Sequence, residues 1–169
     1  RPYTEESYRL AFDVFVANSN FADARRVAEA AIEARPDDFT WRMRLIQVAE
    51  WSGDAQEALR QWKMIVARRP TREAYEAILR LAPGLGDEEA LLEAWRFMAN
   101  IRPLAREELE TVVIVFENLG RFDQAIAWLR ELDARGRRAD YLELIALTAE
   151  RSGRPDLAIA TLLELERRS

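Results

Sequence analysis

The chain contains neither cysteine nor histidine. Disulfides, Cys/His zinc sites, thiolate nucleophiles and imidazole bases are therefore excluded, and much of enzyme chemistry goes with them. A chain without thiols suits an oxidising compartment and equally a reducing one. Long apolar runs are missing too. The longest that matters, residues 112–116, is five residues, against the roughly 20 that cross a bilayer as a helix. The segment is expected not to span a membrane. Its first residues, RPYTEESY, are polar and hold no basic stub before an apolar run, so any address signal is expected to have been removed. Cationic excess is also lacking. With 25 Lys and Arg against 30 Asp and Glu, the formal net charge of -5 argues against a general nucleic-acid binder. What remains, 49% apolar and 33% charged residues in 169, is the composition of a soluble folded chain.

Proline and glycine are scarce, six of each, and their positions are periodic. Arg-Pro occurs at residues 1–2, 35–36, 69–70 and 102–103, while a turn position falls at Ser19, Gly53, Gly86, Gly120 and Gly153. Proline has no amide to donate and disfavours helix at the residue before it, so each Arg-Pro closes one helical pair and launches the next. The spacing predicts five helix-turn-helix repeats, at approximately 3–36, 37–70, 71–103, 104–136 and 137–169, in a single array over 1–169. Because the first Arg-Pro stands at residue 1 and the chain stops where the next would fall, it reads as a fragment of a longer solenoid.

Four columns in the first helices carry the i, i+3, i+4, i+7 spacing of a buried stripe. They are Tyr8, Arg42, Tyr75, Leu109, Leu142; Ala11, Leu45, Ile78, Val112, Ile145; Phe12, Ile46, Leu79, Val113, Ala146; and Phe15, Ala49, Ala82, Phe116, Ala149. Arg42 alone breaks the pattern, and Trp41 beside it supplies apolar bulk. The second helices carry a small column, Ala24, Ala58, Leu91, Ala125, Ala158, that lets backbones approach closely, followed by Ala28, Trp62, Trp95, Leu129, Leu162. Asp54, Asp87, Asp123 and Asp156 open these helices, where acids cap free amides and meet the positive end of the dipole. The third first-helix is expected to end near Leu81 or Ala82, before Pro83-Gly84. The run VVIVF at 112–116 has strand propensity, but its register places it on a helix.

A repeat near 34 residues with this punctuation resembles the tetratricopeptide repeat. The resemblance implies an all-α fold, a right-handed superhelix of the α-solenoid class, that is non-catalytic and holds no cofactor or metal. Within that superfamily, AEWSGDAQEALRQW followed by EAILRLAPGLGDEEALLEAW is similar to the periplasmic repeat region of Pel-type exopolysaccharide export proteins. That resemblance implies a periplasmic scaffold of a parent chain ending in an outer-membrane β-barrel porin. It also implies a protein partner, a polysaccharide deacetylase or hydrolase that the scaffold recruits, and a path for the polymer. The other reading is a generic adaptor for complex assembly or signalling, cytoplasmic and with no glycan role.

Such arrays place their first helices along a concave side, and the outward columns there hold eleven acids: Glu6, Asp13, Glu50, Glu73, Glu76, Glu107, Glu110, Glu117, Asp140, Glu143 and Glu150. One reading is a partner surface whose single sign favours a basic protein segment or a partly deacetylated, cationic amino-sugar polysaccharide. The other is an ordinary solvated face, its first-turn acids explained by the helix dipole and the rest screened by arginine. Trp51 and Trp128 are candidates for outward aromatic contact with sugar or protein, and equally for packing. Many carboxylate pairs exist, but none is set in a recognisable catalytic pocket.

Overall fold

The computed structural model describes residues 4–168, so Arg1-Pro2 and Ser169 lie outside the described residues. Among these the chain forms ten α-helices and no strand. In order they are α1 (Glu5–Ala17), α2 (Phe21–Ala34), α3 (Phe39–Trp51), α4 (Ala55–Val66), α5 (Arg72–Leu85), α6 (Glu88–Ile101), α7 (Arg106–Asn118), α8 (Phe122–Gly136), α9 (Ala139–Arg151) and α10 (Pro155–Arg168). The run at 112–116 is helical, inside α7. Packing divides the chain into two compact units, the first ending at Ala94 and the second beginning at Trp95. The division falls inside α6.

Every pair turns the same way. The residue after the turn position donates its amide across six residues to the last buried column of the first helix. These bonds are Asn20 to Phe15 at 2.8 Å, Asp54 to Ala49 at 2.8 Å, Asp87 to Ala82 at 3.1 Å, Arg121 to Phe116 at 2.8 Å and Arg154 to Ala149 at 2.8 Å. This is the Schellman closure, which needs a left-handed residue at its centre. Glycine supplies it at 53, 86, 120 and 153, whereas Ser19 adopts it with a φ of 56° against its own Cβ. Ser19→Gly should therefore stabilise the first unit by about 0.5–1 kcal/mol net of the added freedom of the unfolded chain. Thermal unfolding followed by circular dichroism would show a midpoint raised by roughly 1–4 °C; a lowered midpoint would mean that the serine hydroxyl contributes more than its backbone costs.

The helix starts follow the same logic. Asp54 and Asp87 accept from the amides of Glu57 and Ala90, each at 3.0 Å, Asn20 does this for α2, and Pro155 occupies the first position of α10, where no amide is needed. At α7 the arrangement is reversed. Ala105 has no side chain to cap with, and Glu108 reaches back to its amide at 2.8 Å while holding Arg102 through both carboxylate oxygens.

One boundary corrects the sequence reading. Rather than ending at Leu81 or Ala82, α5 runs through Pro83 to Leu85, with Gly86 left-handed. Proline deletes one amide and crowds the carbonyl four residues back, a large cost in mid-helix. Here only two residues follow it, and the helix is closed around it by Gly86 donating to Pro83 O at 3.2 Å and Asp87 to Ala82 O.

The core lies between successive pairs. In the first unit Phe12, Ala24, Ala28 and Ala31 form one cluster with Trp41, Leu45 and Val48 of α3. The small column does what its size suggests: Ala24, Ala58 and Ala125 have no accessible surface. Arg42, the exception among the apolar columns, is buried with both terminal nitrogens partnered, Nη1 donating to Gln61 Oε1 at 3.1 Å and Met64 Sδ at 3.5 Å and Nη2 to Pro36 O at 3.2 Å. In the second unit Leu109, Val112, Val113 and Phe116 of α7 are buried together with Leu129 of α8 and Leu142 and Ile145 of α9, whereas Leu162 of α10 is half exposed.

Candidate functional site

The outward stripe of the second unit is built by α7 and α9, which pack side by side. Residues 107, 110, 114 and 117 share one face of α7, and 140, 143, 147 and 150 share the corresponding face of α9, because these spacings return to nearly the same angle on a 3.6-residue helix. Two ion pairs cross between them. Arg106 of α7 bonds Glu143 of α9 as well as Glu110 of its own helix at 3.0 Å, and Arg151 of α9 bonds Glu117 of α7 at 3.2 Å. Between these two clasps, at equivalent places in successive repeats, stand Ile114 and Leu147, 50% and 38% exposed. The arrangement is a pair of uncovered aliphatic side chains rimmed by carboxylates. The hydrogen bonds that Arg106 donates to Glu143 and Glu110 hold its guanidinium above its ordinary range.

Six of the acids named from sequence belong to this face, and the structure distinguishes among them. Glu110 and Glu143 share Arg106, Glu117 is held by Arg151, and Asp140 by Arg138. Among the described residues Glu107 and Glu150 have no ion pair, and both are exposed. Three arginines thus answer six carboxylates, leaving a net negative rim weaker than the outward columns alone imply. Two of these contacts cross between helices, Arg106 to Glu143 and Arg151 to Glu117, which spacing along one helix does not show, whereas Arg106 to Glu110 and Arg138 to Asp140 are local.

The first unit holds the other five. Glu6 and Asp13 on α1 and Glu73 on α5 are exposed and, among the described residues, have no ion pair; Glu76 bonds Arg72 at 2.7 Å, and Glu50 on α3 takes Arg80 from α5 at 2.6 Å. Exposed pairs of this kind are worth about 0–1 kcal/mol each, so they set where charge is presented more than they hold the fold. The aliphatic pair, by contrast, has no counterpart here at Asp13, Gln47 and Arg80. Nothing along the chain singles out Ile114 and Leu147 beyond their place in an outward column.

The two tryptophans separate. Trp51 is 49% exposed, one face leaning on Phe21 at 6.0 Å between ring centroids. Trp128 is not an outward residue: it is 6% exposed and packs on Phe116 at 5.9 Å. Its column, Val27, Gln61, Ala94, Trp128 and Thr161, is a core column of the second helix, with Gln61, Ala94 and Thr161 also buried. Polar members hid it from the periodicity. They are tolerated because each finds a partner on its own helix, Gln61 donating to Glu57 at 2.8 Å and Thr161 to Leu157 O at 2.8 Å.

Comparison with known proteins agrees with this architecture. The tetratricopeptide repeat family matches over residues 9–73 and 113–169. No curated protein matches the chain. Among solved structures, the crystal structure of the MamA protein is 19% identical over 95% of this chain and 91% of its own, with a TM-score of 0.50, a likeness of fold. Looser likenesses are a tetratricopeptide repeat protein from Parabacteroides merdae, 17% identical over 96% of this chain and 66% of its own with a TM-score of 0.49, and a thermophilic one from Thermus thermophilus, 24% identical over 98% and 92% with a TM-score of 0.41. Because the family matches most of the chain, in the register that the turns, caps and buried columns obey, this protein belongs to the tetratricopeptide repeat family.

Proposed function

We propose that this chain is a non-catalytic protein-interaction scaffold whose α7/α9 face receives a basic segment of its partner. The observation that carries the reading is the exposed pair Ile114 and Leu147 set among Glu107, Glu110, Glu143 and Glu150. An aliphatic centre supplies affinity by excluding water, and a rim of one sign selects partners and speeds encounter. Similarity to the Pel-type repeat regions supplies the setting. In this proposal the scaffold works in the periplasm, in an exopolysaccharide export apparatus whose parent chain is anchored by an outer-membrane barrel. There it recruits the deacetylase or hydrolase that modifies the polymer. The same acidic surface would favour the cationic, partly deacetylated polysaccharide along its path, with the half-exposed Trp51 as a stacking platform.

The test is binding of the purified periplasmic deacetylase to the wild-type chain and to a Glu110→Lys, Glu143→Lys double variant. Reversing both carboxylates should weaken binding by about tenfold or more at low salt, and by much less once added salt screens the rim. Circular dichroism of the variant should remain helical, because both residues lie outside the core. Equal affinity of the two proteins at low salt would remove the electrostatic reading. No binding by either would remove this partner and leave the adaptor.

A further inference from the structure

We propose a second docking surface, on the outer side of α4 in the first unit, that accepts an acidic, apolar helical segment of a partner protein. The outer stripe of α4 and the end of α5 enclose an open groove of about 670 Å³. Its apolar lining is Leu59 and Met64 of α4, Ala67 at the C-cap of that helix, and Leu85 of α5. Met64 and Leu85 are 40% and 41% exposed, so this apolar surface meets water.

The repeats themselves provide a control for whether the fold needs those side chains. At the position of Met64 the other four repeats carry Ala30, Phe97, Glu131 and Glu164; at that of Leu85 they carry Asn18, Ser52, Leu119 and Ser152. Glutamate in two repeats at the first place, and a polar residue in three at the second, show that the solenoid forms without a large aliphatic side chain at either. The repeat does not require the pairing of Met64 with Leu85 across this groove, although Met64 Sδ also accepts from Arg42 at 3.5 Å and the corresponding pair one repeat on, Phe97 and Leu119, is apolar as well.

Charge decides which partner. The charged residues that line the groove are Arg60, Lys63 and Asp87, two cations against one anion, and the side chains of Arg60 and Lys63 keep roughly half of their surface exposed. Their own acids are already engaged. Glu57 takes Arg60 through both oxygens, and Asp87 takes Lys63 at 2.7 Å while also accepting from the amide of Ala90. These bonds use Arg60 Nε and Nη2 and one Nζ hydrogen of Lys63, so that Arg60 Nη1 and the other Nζ hydrogens are the donors offered to an incoming carboxylate. Aliphatic floor and cationic wall together fit a helix presenting leucine-like side chains at i, i+3 and i+4 with carboxylates beside them. This chemistry is opposite in sign to that of the α7/α9 face, so the two surfaces take different partners.

The probe is a synthetic amphipathic peptide of about 14 residues with leucines on one helical face and glutamates elsewhere, titrated into the full chain carrying ¹³C-labelled methionine and leucine methyls. Two control peptides carry glutamine or lysine in place of glutamate. We expect saturable shifts of the Met64 and Leu85 methyl signals, stronger binding of the glutamate peptide than of either control, and weakening by added salt. Met64→Glu, which installs the side chain that two other repeats use at this position, should fold normally and bind the peptide about tenfold more weakly. The Glu110→Lys, Glu143→Lys variant should bind as wild type does, which keeps this result separate from the α7/α9 reading. Absence of Met64 and Leu85 shifts at millimolar peptide, equal or tighter binding of the lysine peptide, or unchanged affinity in Met64→Glu would each overturn the proposal.

Discussion

Trp41→Ala should cost the first unit about 3–5 kcal/mol, the largest loss available from one side chain in this chain. Trp41 has no accessible surface. Its indole stands edge-on to Tyr8 at 6.1 Å and to Phe12 at 5.8 Å, so one ring of α3 closes the contact with two rings of α1. The indole N–H is satisfied across the same seam, donating to Glu5 Oε1 at 2.9 Å, and the Arg44 guanidinium lies over the ring face at 4.6 Å. Truncation removes the aromatic volume, strands the Glu5 contact and leaves a cavity at a junction that cannot close without moving α1. In a repeat protein stability is shared between neighbours, so denaturant unfolding should split into two transitions, the first unit melting early. Trp41→Phe keeps most of the ring contact and loses the N–H, and should fall between. A single transition at the wild-type midpoint in Trp41→Ala would show that α1 is not anchored through this residue.

Glu57→Ala should be the next most costly, at about 2–3 kcal/mol. Glu57 is a buried carboxylate between α2 and α4. It accepts from Arg60 at 2.9 and 2.7 Å and from Gln61 at 2.8 Å, and Arg25 of α2 lies at 3.4 Å. Gln61 passes the chain of bonds on to the buried Arg42. Removing the carboxylate leaves Gln61 without its acceptor in a dry site, while Arg25 and Arg60, both partly exposed, recover some hydration; this places the loss below that of a fully buried pair. Glu57→Gln keeps the shape and loses only the charge, and should cost roughly half as much.

Acid should act on the same network. Burial tends to raise the Glu57 pKa, but hydrogen bonds from Arg60 and Gln61 and the charges of Arg60 and Arg25 outweigh it and hold the group below the ordinary glutamate value. Asp54 is likewise lowered, chiefly by the Glu57 amide, against burial and with help from Arg25. A carboxylate with a depressed folded-state pKa stabilises fully above its unfolded value and loses that contribution as pH falls through the folded one. Stability should therefore be flat near neutrality and fall below the ordinary carboxylate range. Glu57→Gln should flatten part of that fall; an acid limb of the same depth would assign the acid sensitivity to other carboxylates.

Whatever repeats along one helix is legible in the amino-acid sequence. Turn positions, Arg-Pro punctuation, the small alanine column and the four buried columns are properties of spacing, and helices convert spacing directly into faces. Even Ser19 could be placed at a left-handed position, because four glycines mark the same turn. The helical state of 112–116 followed from register although its β-branched residues favour strand.

Tertiary structure decided everything that crosses between helices. Whether Glu117 and Glu143 present free charge depends on arginines of the neighbouring helix whose long side chains reach across a seam, and side-chain reach is not periodic. Trp128 turned inward because its column faces Phe116, a fact concealed by a glutamine and a threonine that satisfy themselves locally. Helix α5 continued through Pro83 because a turn can close around a proline that has almost no helix left to break. The aliphatic pair Ile114 and Leu147 became a candidate site only when packing of the buried columns set α7 beside α9. The amino-acid sequence by itself determined which residues share a helical face, since backbone geometry is local and repeats every 3.6 residues. Which of those faces is neutralised, covered or open was decided by packing between helices, where contacts depend on residues far apart in the chain.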